Sequence, residues 1–127
     1  MKKAVNAGAQ SKVIVLDEAG LLSAVEGDSG LLRDRVDLFL KDTPQHLAEI
    51  TKAIESANRR LVEREAHTLR GAAGNIYGPR MAEAARRREQ AARTGSLHEA
   101  GLAYAAVAEE VRRLQRALAD TVRKHAA

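Results

Sequence analysis

The sequence predicts an all-α protein: an antiparallel up-and-down four-helix bundle with a short additional N-terminal helix. Three observations carry this expectation. Aromatic residues make up only 2% of the chain (Phe39, Tyr77 and Tyr104), while hydrophobic residues make up 45%. A core drawn from Leu, Val, Ile, Met and Ala favours helix packed on helix, because strands draw heavily on β-branched and aromatic residues. From Asp17 onward the apolar residues recur at steps of three and four, which is the helical period. The amphipathic segments are also joined by short breaks, and short connections set neighbouring helices antiparallel.

The elements follow in order. Residues 1–12 are small and polar with no period, and read as a flexible lead-in or linker; the bundle domain spans 13–125. The 127 residues suit a single domain. A short first helix starts at Asp17 as N-cap, carries Leu21, Leu22 and Val25 on one side, and ends at "EGDSG". This spare helix is expected to cap one end of the bundle. A long second helix follows, with Leu32, Val36, Phe39, Leu47, Ile50 and Ile54 as its buried stripe. Pro44 lies inside it and removes the amide that would bond the carbonyl of Leu40, so a kink or local break is expected there.

Asn58 caps a third helix whose ladder is Val62, Ala66, Leu69, Ala73 and Ile76. "YGP" at 77–79 ends it, with Gly78 suited to a left-handed conformation and Pro79 to the first turn of the next helix. The fourth helix runs from Pro79 to about Arg93, with Met81, Ala84, Ala85 and Ala91 inward. "TGS" ends it, and Ser96 with Glu99 forms a capping box. The last helix, from 97 to about 123, buries Tyr104, Val107, Val111, Leu114, Leu118 and Val122.

Composition excludes several classes. There is no cysteine, so disulfides and thiolate metal sites are out. The longest apolar run, "VIVL" at 13–16, falls far short of the ~20 residues of a membrane span. The first residues lack the long apolar stretch of a signal peptide, so a soluble cytoplasmic module is expected. Net charge is +4 with histidine neutral, but the basic clusters "NRR", "ARRREQAAR" and "VRRLQR" are interleaved with acids and read as solvated helix faces. The scarcity of aromatic stacking residues argues against single-strand nucleic acid as a partner. Of the histidines, His46, His98 and His125 are scattered, and no H-E-x-x-H or similar spacing marks a metal site.

One stretch resists a purely structural reading. "REAHTLRGAAGNIYG" at 64–78 is helical in period yet holds glycines at 71 and 74. Each exposed helical glycine costs about 1 kcal/mol relative to alanine. His67 lies about 100° round from Ala66, off the buried ladder, and the positions three, four and seven further on share its face. Those positions are Arg70, Gly71 and Gly74. A neutral imidazole on a solvent face is a nucleophile available near neutral pH. Arg70 is placed to bind an anion on that imidazole by charge-assisted hydrogen bonds. Gly71 removes a side chain that would crowd the ring, and Gly74 lets another protein's backbone approach.

"AHTLRGAAGNI" resembles the signature of the histidine-containing phosphotransfer (HPt) domain family, close to H-x-L-K/R-G-x-x-x-N-hydrophobic. The upstream pieces "GDSGLL" and "FLKDTP" are similar to the family's opening two helices, and the likeness covers about residues 16–120. The resemblance implies a helical bundle with the active histidine on the second bundle helix. It implies that His67 accepts a phosphoryl group from the phospho-aspartate of one receiver domain and passes it to the aspartate of another. Arg70 then matches the basic residue beside the phosphate, Gly71 the glycine that clears the ring, and Gly74 with Asn75 the positions that follow. The family needs no ATP and no cofactor of its own; magnesium belongs to the partner receiver. Glu89 aligns with a position where some members hold a polar side chain near the histidine, so a carboxylate there would orient His67 yet repel phosphate. Leu31, Leu38 and the first helix are candidate contacts for the receiver.

The chain departs from the family pattern in three places, Glu89 being the first. Tyr77-Gly78 stands where glycine and a small residue are common. Arg88 stands where a buried leucine is usual, and is expected either to snorkel outward or to pair with an acid such as Glu65 or Glu110. The residues agree with the implied division of labour, since the chain has no glycine-rich phosphate loop and no kinase motif. In phosphoryl transfer, positioning and charge neutralisation do most of the work. The chemistry is expected on a convex helix surface completed by the partner, on a monomer that keeps this face open. A free-standing protein and a part of a hybrid sensor kinase both fit. Two other readings compete: an adaptor bundle that docks a partner without phosphate, and a basic nucleic-acid-binding bundle.

Overall fold

The computed structural model describes residues 13–126, and within them every regular element is a helix. Helix α1 spans Glu18–Ala24, α2 Ser29–Glu55, α3 Arg59–Asn75, α4 Pro79–Thr94 and α5 Leu97–Lys124. The lead-in expected at 1–12 lies outside the described residues. Helix α2 packs against α3 and α5, α3 against α4, and α4 against α5, so the four long helices form a closed ring of neighbours. No described helix is long and apolar enough to cross a membrane.

The start signals act as their chemistry requires. Asp17, Asp28, Asn58 and Ser96 each accept a hydrogen bond from a first-turn amide of the helix that follows. Ser96 and Glu99 complete the reciprocal capping box. The main core joins Leu21, Leu32, Val36, Phe39, Ile50, Leu69, Met81, Val111, Leu114 and Leu118, with Phe39 its only fully packed aromatic. The α3 ladder is wholly internal: Val62, Ala66, Leu69 and Ala73 have no exposed surface, and Ile76 has 3%. In α4 the inward residue near the C-terminus is Ala92, not Ala91 as expected, because the stripe steps from Ala85 through Arg88 to Ala92. Helix α1 sits at one end of the ring. The Asp17 amide donates to the Tyr77 carbonyl at 2.8 Å, and Glu18 meets Thr121 and Lys124 near the end of α5.

Three further expectations are corrected. Of the kink or local break expected at Pro44, the break does not occur: helix α2 is continuous through it, as buried residues on both sides (Phe39, Thr43, Ile50 and Ala53) hold the segment in place. Proline there removes one backbone bond, and packing of the flanking turns outweighs that loss. The left-handed residue at the α3–α4 connection is Tyr77, at φ +64°, and Gly78 is at φ −108°. Tyr77 takes this conformation because the helix-end bonds are satisfied there: Gly78 N–H donates to the Ala73 carbonyl at 2.8 Å and Tyr77 N–H to that of Gly74 at 3.2 Å. Ala57 does the same between α2 and α3, at φ +55°. Glycine is needed at 78 for space, since a Cβ would lie 2.5 Å from Leu114 Cδ2.

Arg88 neither snorkels nor pairs with Glu65 or Glu110. It has no exposed surface, donates to the Ala100 carbonyl, and lies 4.9 Å from the Tyr104 ring centroid. Its Nε and second terminal nitrogen are buried without a partner. Burial pushes its pKa down to about 10, against a smaller opposing pull from Tyr104. Glu65 is instead engaged by His46, and Glu110 by Arg80 and Arg113.

Candidate functional site

The inward α3 ladder forces the opposite strip outward. His67 stands on that strip with 62% of its side chain exposed. Gly71 and Gly74, one and two turns on, are exposed too, and a Cβ built at either meets no atom within 4 Å outside its own stretch of helix. Nothing inside the protein requires glycine at these positions.

Helix α4 brings Glu89 alongside. Its side chain is only 8% exposed, and its Oε2 lies 3.0 Å from His67 Nδ1. Arg70 approaches the same group, with Nη1 at 3.3 Å from Glu89 Oε1 and Nη2 at 3.1 Å from His67 Nδ1. A guanidinium only donates, so Nδ1 serves either Arg70 as acceptor or Glu89 as donor, not both. The carboxylate is the stronger partner and Arg70 has its own place on it. Nδ1–H therefore donates to Glu89, which leaves the Nε2 lone pair facing solvent. The sequence reasoning named His67, Arg70, Gly71, Gly74 and Glu89, and the structure brings the three side chains together beside the two open glycines.

Two residues of this cluster were missed. Arg93 Nη2 reaches Glu89 Oε2 at 3.1 Å, and Arg93 Nε reaches Glu63 Oε2 at 2.8 Å. The hydrogen bond with Glu63, first, and the nearby Glu89 charge hold the Arg93 guanidinium more firmly protonated than usual. Helical spacing was the available signal: Arg93 is four residues after Glu89, and Glu63 four before His67.

Beside His67 the surface is not simply convex, contrary to expectation. A groove of about 750 Å³ runs between α2 and α3, with Leu38, Phe39, His46, His67, Gly71 and Ile76 among its lining. Leu38 is 60% exposed there, whereas Leu31, also exposed, lies outside the groove. His46 Nδ1 sits 2.7 Å from Glu65 within the same α2–α3 seam. Elsewhere the arginine run on α4 is largely neutralised from within. Arg86 and Arg87 both bind Glu83, whose pKa is lowered chiefly by the Arg86 hydrogen bond. Among the described residues no group of three His, Asp or Glu side chains is arranged to hold a metal ion.

A family model, the Hpt domain, matches residues 34–117. That span covers more than half of the chain and includes all of α3 and α4, so the chain belongs to the Hpt domain family. No curated protein and no solved structure matches it. Hpt domains carry phosphoryl groups in the phosphorelays of two-component signalling, with receiver domains as partners, and are carriers rather than classical enzymes.

Proposed function

We propose that His67 is the phosphoacceptor of a phosphorelay, taking a phosphoryl group from the phospho-aspartate of one receiver domain and passing it to the aspartate of another. The observation that carries this reading is the exposed imidazole with Nδ1 on Glu89 at 3.0 Å. In the forward step the Nε2 lone pair attacks phosphorus, an N–P bond forms, the P–O bond to aspartate breaks, and the aspartate leaves as carboxylate. The ring becomes cationic because Nδ1 keeps its proton. Glu89, which accepts that N–H, stabilises the cation as it develops. Arg70 offsets the phosphoryl charge. The reverse step regenerates the neutral ring.

The rest of the machinery belongs to the partner. The receiver supplies its acidic pocket and magnesium; this chain supplies nucleophile, carboxylate and cation, with no ATP site and no cofactor of its own. The transfer unit is residues 13–125, arranged as an up-and-down antiparallel bundle. Two- and three-residue connections and the closed ring of neighbours support that arrangement. It works as a monomer in the cytoplasm, either free-standing or within a hybrid sensor kinase.

The test is phosphoryl transfer from a panel of phosphorylated receiver domains to wild type, His67→Gln and His46→Gln. Wild type and His46→Gln are expected to take up label that is acid-labile and base-stable, and His67→Gln none. No label on folded wild type across the panel would sink the relay reading and favour a docking bundle that uses the α2–α3 groove without phosphate. Label persisting on His67→Gln would move the acceptor elsewhere.

A further inference from the structure

We propose that Arg93 is a positioning residue for the phosphoacceptor, acting on His67 through Glu89; the inference rests on the relay reading. Glu89 Oε2 has two partners, His67 Nδ1 at 3.0 Å and Arg93 Nη2 at 3.1 Å. The oxygen that takes the Nδ1 proton is thus the oxygen that Arg93 fixes. Glu89 Oε1, by contrast, is buried without a hydrogen bond, and Arg70 approaches it only at 3.3 Å. Of the two arginines, Arg93 sets the rotation of the carboxylate.

Arg93 is itself held. Its Nε binds Glu63 Oε2 at 2.8 Å, and Glu63 lies one turn before His67 on α3. Arg93 lies one turn after Glu89 on α4. One turn of each helix and two cross-links, Glu63–Arg93 and Glu89–His67, therefore close a rectangle. Within it the imidazole cannot turn about its ring axis without breaking a charge-assisted bond to a nearly buried carboxylate.

The same arrangement answers the objection that a carboxylate beside the acceptor repels phosphate. Glu89 sits between two guanidiniums, so the group beside the ring is not a bare negative charge when phosphoryl arrives. Arg93 lets Glu89 orient the ring and balance the imidazolium while Arg70 stays free to turn toward the phosphoryl oxygens. Without Arg93, one cation would have to serve both carboxylate and phosphoryl group.

The experiment compares wild type, Arg93→Gln, Arg93→Lys and Glu63→Gln, with transfer from a phosphorylated receiver as one readout. The other is the ¹⁵N spectrum of the His67 ring, which distinguishes the Nδ1–H from the Nε2–H tautomer. In folded Arg93→Gln the Nε2–H share is expected to rise and transfer to slow roughly fivefold, the equivalent of a partly exposed ion pair at the top of its usual range. Arg93→Lys restores both in part, since one ammonium holds Glu89 but does not bridge to Glu63. Glu63→Gln shows a smaller change of the same sign. Wild-type tautomer and rate in a folded Arg93→Gln would make Arg93 a mere strut between helices and overturn the proposal. If wild type takes no label, the relay reading fails, and the ring spectrum still decides whether Arg93 sets the tautomer.

Discussion

Alanine at Gly71 and Gly74 is expected to strengthen the folded protein while weakening its handling of phosphate. Both glycines are helical and exposed, and a Cβ at either finds open space. No steric cost therefore opposes the gain in helix propensity, about 1 kcal/mol at each site. For a domain of this size each kcal/mol is worth about 3–5 °C in Tm. The double variant is therefore expected to melt roughly 6–10 °C higher. Thermal and urea denaturation measure this directly. In transfer from phosphorylated receivers the same variants are expected to be slower, with Gly71→Ala the worse, since its methyl group stands one turn from the ring. Opposite signs in the two assays are the signature of a surface kept bare for a partner. Two outcomes would refute the reasoning: a stabilised variant that transfers at the wild-type rate, or a destabilised one, which would mean the glycines serve the fold itself.

Two other substitutions separate structure from function. Gly78→Ala is the converse of Gly71→Ala: its Cβ would press on fully buried Leu114 at 2.5 Å, so a loss of about 1–3 kcal/mol is expected in urea denaturation. A neutral result there would show that Leu114 has room to move. Arg88→Met is expected to stabilise the protein by about 1–3 kcal/mol, because it removes a buried guanidinium with two unpartnered nitrogens at similar volume. The pH dependence has a definite sign. The folded-state pKa of Arg88 is depressed to about 10. The unfolded chain therefore holds this proton to higher pH, and the penalty is present in full below about pH 10 and is relieved as pH rises above it. The advantage of Arg88→Met should thus be larger at about pH 8 than at about pH 11. A variant less stable than wild type at the lower pH would show that the Tyr104 and Ala100 contacts outweigh desolvation.

Local chemistry determined most of the elements. Caps at Asp17, Asn58 and Ser96, the ladder from Val62 to Ile76, and proline at the first turn of α4 act over one or two turns, so they are legible in one dimension. The outward strip of His67, Arg70, Gly71 and Gly74 follows from the same 3.6-residue period, which fixes what shares a face whatever the helix packs against. The rest depends on which helix lies opposite. Glu89 is a partner of His67 because α4 packs on α3, and Arg93 joins it by reaching across to Glu63. Gly78 is glycine because Leu114, on α5, leaves no room for a Cβ, and the left-handed turn falls to Tyr77 instead. Arg88 looked like a residue that would seek water or an acid, yet the packing of α4 on α5 encloses it beneath Tyr104. Period and capping are properties of a segment, whereas the electrostatic setting of a side chain is a property of the neighbours that folding brings to it.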